Sequence, residues 1–87
     1  MVILTGPSQV GKTTLSQQLI AQQGGQYLNY DVAADRALIV KQRWSPQAAL
    51  LVLDEIHKMS HWKTWLKGVY DGKPAAQQLL VTGSARL

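Results

Sequence analysis

The sequence predicts an α/β fold in which helices cover both faces of a parallel sheet. Segments with the character of buried strands alternate along the chain with segments whose apolar residues recur at helical spacing. The strand candidates at residues 1–4 and 48–53 are continuously apolar, which is typical of parallel strands buried on both faces. Since parallel strands joined in this order need right-handed crossovers, we expect one three-layer α/β/α domain over residues 1–87.

Seven segments make up this expected fold. The strand candidates are residues 1–4, 27–30, 48–53 and 79–82. The helix candidates are a segment that follows residue 14 and stops at Gly24-Gly25, then residues 33–42 and residues 62–70. Asp31 and Ser60 are expected to cap the second and third helices. Three aromatic residues of the third helix are expected to pack against the sheet: Trp62, Trp65 and Tyr70.

The pattern G-x-x-x-x-G-K-T lies between the first strand candidate and the first helix candidate, which is the context of a phosphate-binding loop. Gly6 and Gly11 let backbone N–H groups close around phosphate oxygens. Lys12 would place a positive charge on the β and γ phosphates, and Thr13 would offer a hydroxyl to Mg²⁺. The predicted nucleotide-binding residues are Gly6, Pro7, Ser8, Gln9, Val10, Gly11, Lys12, Thr13 and Thr14. The alternative is a glycine-rich helix start that binds nothing.

Two carboxylates, Asp54 and Glu55, follow the third strand candidate directly. Charged residues are poor core material, and an apolar strand that ends in Asp-Glu resembles a Walker B motif. In that interpretation Asp54 holds Mg²⁺ through its water shell. Glu55, the only glutamate of the chain, orients or deprotonates the attacking water. The alternative is an exposed cap for the following turn.

Three separate segments converge at one edge of the predicted sheet. Gly6, Asp54 and Ser84 each come just after a strand candidate, and ligands of open α/β sheets bind at the carboxyl ends of the strands. Thr82 or Ser84 would lie where a sensor of the γ-phosphate is needed, so both are candidate catalytic residues beside Glu55 and Lys12. A simple turn is the alternative for these two. Arg86 could contact the γ-phosphate or a neighbouring subunit, although a solvated side chain is the favoured interpretation.

The segments 6–14, 51–58 and 81–85 together resemble the AAA-type P-loop ATPases of prokaryotes in which the ATPase module precedes a poorly characterised C-terminal domain. The resemblance runs over nearly the whole chain. It implies ATP binding, Mg²⁺-dependent hydrolysis, a sensor at Thr82 or Ser84 and the strand order 5-1-4-3-2. It also implies that this chain is a partial domain, with strands 1-4-3-2, no fifth strand, and a partner domain or subunit elsewhere. The isolated piece is then expected to bind nucleotide weakly and to hydrolyse it very slowly or not at all.

Composition indicates a globular chain without a membrane span. The sequence is 46% hydrophobic and 16% charged, and its longest apolar run covers only residues 48–53. No secretory signal pattern and no cysteine are present in the sequence, so a cytoplasmic location is expected. The net charge of +4 permits nucleic acid as a partner but does not require it.

Two side-chain patterns carry weaker signals. Four lysines could form a basic stripe, but a solvated helix face is the favoured interpretation: Lys58, Lys63, Lys67 and Lys73. His57 and His61 are four residues apart and could share a helix face. Because no third metal ligand is evident nearby, a structural or surface role is favoured for both.

The leading functional hypothesis is an ATPase whose turnover is coupled to a further domain. A nucleotide-dependent binding switch with little turnover is the first alternative, and a P-loop small-molecule kinase is the second. The kinase would need an acceptor pocket and a lid that bears arginine, and neither is visible in this sequence. A GTPase is disfavoured because the sequence has no Asn-Lys-x-Asp segment to recognise guanine.

Overall fold

The computed structural model of the chain describes residues 2–5 and 17–83. These residues form four strands: β1 (Val2–Thr5), β2 (Gly25–Asn29), β3 (Leu50–Asp54) and β4 (Gln78–Gly83). The helices are α1 (Ala33–Lys41), α2 (Trp62–Gly72) and a single 3₁₀ turn, Ile56–Lys58, and residues 17–23 are also helical. No helix in this part of the chain is long and apolar enough to cross a bilayer.

All strand pairs are parallel, and the strand order is β1-β4-β3-β2. This confirms the predicted order and direction of the strands. β1 lies at the edge of the sheet formed by the described residues, next to β4 alone. The register places Asp54 beside Asn29 on one side and beside Thr82 on the other, so the last residues of β2, β3 and β4 form one row.

Helices cover both faces of the sheet, as the continuously apolar strands predict. On one face Leu51, Leu53 and Val81 pack with residues of α1 and α2, among them Ile39 and Leu66. The core of this face contains these buried residues: Leu28, Ile39, Leu51, Leu53, Ile56, Leu66, Val69, Leu79 and Val81. On the other face Leu50, Val52 and Leu80 pack with Leu19 and Ile20 of the helical segment 17–23 and with Tyr27. β3 is therefore buried along its whole length.

The aromatic residues of α2 divide between the core and the surface. Trp62 and Trp65 pack against the larger core cluster, as predicted, and the Trp65 ring meets Trp44 edge to face at a centroid distance of 6.0 Å. Tyr70 is 42% exposed, so its predicted packing against the sheet is wrong. A residue at i+8 from Trp62 has drifted about 80° from it on a helix of 3.6 residues per turn, which turns Tyr70 toward solvent.

Both predicted helix caps are wrong. The residue at the N-cap of α1 is Val32 rather than Asp31, and the residue at the N-cap of α2 is His61 rather than Ser60. Neither cap residue makes a side-chain cap hydrogen bond. Asp31 is engaged elsewhere, because its carboxylate accepts hydrogen bonds from Lys58. The predicted strand bounds also shift by a few residues, since β2 already begins at Gly25 and β3 includes Asp54.

Candidate nucleotide site

The row at the carboxyl end of the sheet contains the buried polar residues of this region. Asp54 is 6% exposed, Thr82 2% and Glu55 0%, although all three carry polar or charged side chains. Successive residues of a strand point to opposite faces, so Leu50, Val52 and Asp54 share a face, as do Leu80 and Thr82. That face is the one on which the helical residues 17–23 pack. Asp54 therefore lies on the side of the sheet that carries the helix following the glycine-rich motif.

Two hydroxyl groups hold the Asp54 carboxylate. Thr82 Oγ1 donates to Oδ1 at 2.8 Å, and the hydroxyl of Tyr27 donates to Oδ2. A carboxylate has about four lone-pair sites, so each oxygen keeps capacity for a further donor such as a water bound to a metal ion. The arrangement fixes the orientation of Asp54 and leaves its acceptor chemistry available.

The backbone at Glu55 adopts a conformation that residues other than glycine rarely adopt. Its φ is 62° and its ψ is 22°, in the left-handed region, where a non-glycine residue costs about 1–2 kcal/mol. The Glu55 N–H donates to the Thr82 carbonyl at 2.9 Å, and the Asp54 carbonyl accepts from the Tyr30 N–H at 2.9 Å. These bonds tie the exit of β3 to both neighbouring strands. They stabilise the sharp backbone turn at Glu55, at which the chain departs from the direction of β3.

The Glu55 carboxylate is buried next to two basic side chains. Its Oε2 lies 3.3 Å from Lys58 Nζ and 3.5 Å from His57 Nε2. Lys58 Nζ also donates to both oxygens of Asp31, at 2.9 Å and 2.7 Å. The hydrogen bond with Asp31 and, to a lesser degree, that with Glu55 raise the pKa of Lys58 above its usual 10.5, against the lowering effect of desolvation. Lys58 thus remains cationic at neutral pH and joins two carboxylates from separate segments.

Of the predicted site residues within the described ranges, the structure brings Asp54, Glu55 and Thr82 together. The predicted phosphate loop, Gly6–Thr14, lies outside the described residues, as do Ser84 and Arg86. The backbone of β1 ends at Thr5 beside Gly83, at this same edge of the sheet. The edge therefore gathers the ends of all four strands.

The weaker sequence signals resolve into local contacts. The four lysines do not act as one group, because Lys58 pairs with Asp31 and Glu55 while Lys67 pairs with Asp71 at 2.8 Å. Lys63 lies over the ring of Trp62, and Lys73 lies over the ring of Tyr70. In residues 17–83, no group of three or more His, Cys, Asp or Glu side chains could hold a metal ion. His57 Nε2 faces Glu55, and His61 is the N-cap residue of α2.

Sequence reasoning missed three residues of the site: Tyr27, Asp31 and Lys58. Tyr27 lies two positions before the end of β2, and its contact with Asp54 depends on the sheet register. Asp31 follows the end of β2, which is the signal that identified Asp54 after β3. Lys58 stands three residues after Glu55, a spacing that a 3₁₀ turn brings into contact.

The sheet order, the covering helices and the polar row at the carboxyl ends define an α/β protein of the P-loop NTPase class. A family model described as an AAA domain matches residues 1–87, and the chain belongs to this family. Comparison with curated proteins and with solved structures found no significant match. Membership of the family indicates a nucleotide-binding domain.

Proposed function

We propose that the protein binds ATP with Mg²⁺ and hydrolyses the γ-phosphate. The observation that best supports this function is the buried row at the carboxyl end of the sheet, where Thr82 holds Asp54 and Glu55 follows directly. Ionisable groups placed in a core cost free energy, so their burial together at a strand edge favours a role in chemistry over a role in stability. The family match supports the nucleotide.

The phosphate end of the nucleotide is assigned to the glycine-rich motif. Lys12 would neutralise charge on the β and γ phosphates, and Thr13 would give its hydroxyl to Mg²⁺. Asp54 would accept hydrogen bonds from water molecules bound to that ion. Its place on the face that carries the helical residues 17–23 supports this assignment, because the motif comes just before that helix in the chain.

Glu55 is assigned the role of orienting or deprotonating the attacking water. A general base must be ionised and must lie within hydrogen-bond reach of the proton that it takes. Lys58 Nζ lies 3.3 Å from Glu55 Oε2 and gives the buried carboxylate a cationic partner. Thr82 donates a hydrogen bond to Asp54 and would sense the γ-phosphate through this contact. Ser84 is the other candidate sensor. In phosphoryl transfer, such positioning and charge stabilisation supply most of the catalysis.

Two variants test this assignment in the protein assayed together with its proposed partner domain or subunit, because the isolated piece is expected to bind and hydrolyse ATP only weakly. Lys12→Ala should abolish tight binding of Mg-ATP in titration calorimetry, because it removes the charge on the phosphates without removing core volume. Glu55→Gln should still bind ATP but should release phosphate much more slowly than the wild type, since an amide cannot take a proton. Asp71→Asn removes one exposed carboxylate elsewhere and serves as the matched control. Unchanged affinity in the lysine variant would exclude the phosphate-loop assignment.

The same measurements separate the alternatives. A nucleotide-dependent switch would bind ATP and release no more phosphate than its Glu55→Gln variant does. A small-molecule kinase would release little phosphate alone but would transfer it to an added acceptor. Coupling to a further domain or subunit is part of the proposal, and it predicts that phosphate release rises when that partner is present.

A further inference from the structure

The Lys58 side chain makes a set of contacts that the assignment of Asp54 and Glu55 does not use. Glu55 is fully buried, and a buried carboxylate is costly unless a cation and hydrogen bonds compensate it. Lys58 provides the cation at 3.3 Å from Oε2. The 3₁₀ turn Ile56–Lys58 makes this contact possible, and the Lys58 N–H donates to the Glu55 carbonyl at 3.2 Å within it.

The ammonium group of Lys58 lies between two carboxylates. It has three N–H donors, and three carboxylate oxygens lie near it: both oxygens of Asp31 and Oε2 of Glu55. A lysine with a single surface partner keeps rotational freedom, whereas this one is fixed from two directions. The position of its charge is therefore set by Asp31 as much as by Glu55.

The Asp31 anchor belongs to a different segment, the loop between β2 and α1, and that loop is itself held. The Asp31 N–H donates to Asn29 Oδ1 at 2.9 Å. Arg36 donates from Nε to the Tyr30 carbonyl at 2.7 Å and from Nη2 to the Asp31 carbonyl at 3.3 Å. The loop thus offers Lys58 a carboxylate in a defined place, at the same edge of the sheet as the candidate site.

We propose that Lys58 is a positioning residue for Glu55 and that Asp31 is its anchor. This proposal rests on the assignment of Glu55 as the residue that handles the attacking water. Lys58 holds the Glu55 carboxylate in one orientation, and Asp31 holds Lys58 in the place where it can do so. Displacement of the loop that carries Asp31 would release Lys58 and misplace the carboxylate.

The chain contains a matched control for the chemistry of this contact. Lys67 pairs with Asp71 at 2.8 Å on α2, with 78% and 58% of the two side chains exposed. The ion pair is of the same type, but neither residue contacts Glu55. Exposed pairs of this kind contribute little, so removing Lys67 should leave catalysis unchanged.

The test compares turnover with affinity across these variants. Lys58→Met should lower kcat for ATP hydrolysis on the order of tenfold to a hundredfold, the loss expected from misplacing a reacting group by about 1 Å. Its ATP affinity should stay within about twofold to threefold of the wild type. Lys58→Arg should restore most of the rate, because its charge and reach are similar. Asp31→Asn should lower the rate less than Lys58→Met does, and Lys67→Met should not lower it.

A double variant separates positioning from a structural role. If Lys58 acts through Glu55, adding Lys58→Met to Glu55→Gln should cause no further loss of turnover. Equal additional loss in that background, or a wild-type rate in Lys58→Met alone, would overturn the proposal. Asp31 is 45% exposed, so Asp31→Asn remains a usable variant if Lys58→Met does not fold. No ATP turnover by the wild type, assayed together with the partner domain or subunit of the proposal, would reject the proposed function itself, whereas turnover that depends on Glu55 but not on Lys58 would reject only the positioning role.

Discussion

Replacing Thr82 by valine removes one hydroxyl from the candidate site at nearly constant side-chain volume. In the native protein that hydroxyl donates to Asp54 Oδ1 at 2.8 Å, with Thr82 only 2% exposed and Asp54 6% exposed. Water can hardly replace the lost donor at this depth. A hydrogen bond to a charged group is worth about 1.5–3 kcal/mol, and we expect the free energy of unfolding to fall by about that amount. For a domain of this length the Tm should fall by at least about 6 °C.

The assay is equilibrium unfolding in urea at neutral pH. Thr82→Ser retains the donor and loses one methyl group, which should cost about 1 kcal/mol. Thr64→Val makes the same substitution on the exposed side of α2 and should change stability by less than about 0.5 kcal/mol. In an Asp54→Ala background, Thr82→Val should cost less than it does alone, because the acceptor is gone. Equal stability of Thr82→Val and the wild type would refute the idea that this hydroxyl holds Asp54.

Three further predictions concern other parts of the chain. Gly25→Ala should weaken the pairing of β2 with β3, since a Cβ at this position would lie 2.3 Å from a carbonyl oxygen of β3. Gly68 of α2 faces open space, so Gly68→Ala should instead raise the free energy of unfolding by about 0.5–1 kcal/mol, measured by urea unfolding. The hydrogen bond to the Asp31 carboxylate raises the pKa of Lys58 above 10.5. The ion pair between Lys58 and Asp31 therefore stabilises the fold at pH values below 10.5, and this stabilisation is lost as the pH rises through the raised pKa. Lys58→Arg should therefore lose less stability than the wild type in urea titrations above that pKa. Truncating a buried side chain typically costs about 2–5 kcal/mol. Glu55→Gly should lower the free energy of unfolding by less than this, because glycine adopts the left-handed backbone conformation of residue 55 without strain. A loss of the full size would contradict the strain argument.

The parallel direction of the strands and the position of the site could be predicted from local sequence features, whereas the strand order was predicted only from the resemblance to the AAA-type P-loop ATPases. β3 and the central part of β4 are continuous apolar runs, and the residues at the end of β3 and near the end of β4 are polar. Asp54 and Thr82 meet because parallel strands end at a common edge, whatever the details of the loops. That rule needs only the strands and their direction, both of which the sequence signals strongly.

The environment of Glu55 could not be predicted, since it depends on backbone conformations that the residue types do not favour. Glu55 and His61 both have left-handed φ angles, where glycine or asparagine would be the expected residues. Asp31 was expected to cap a helix, which is the common local use of an aspartate after a strand. Its carboxylate binds Lys58 instead, 27 residues away in the chain. Only the folded sheet brings those two segments together.

Glu55 combines three features that each cost free energy. Its charge is buried, its backbone is in the left-handed region, and the cation beside it gives up part of its hydration. A buried ion pair is often no more stabilising than apolar side chains of the same volume, so stability gives no reason for this arrangement. What the arrangement does provide is a carboxylate with a fixed orientation directly after Asp54, at the edge where the strands end. Strained backbone of this kind persists where the surrounding structure over-determines it, and here the Glu55 N–H bond to β4 and the Lys58 contact both do so. The proposed role of Glu55 in handling the attacking water would account for this costly arrangement.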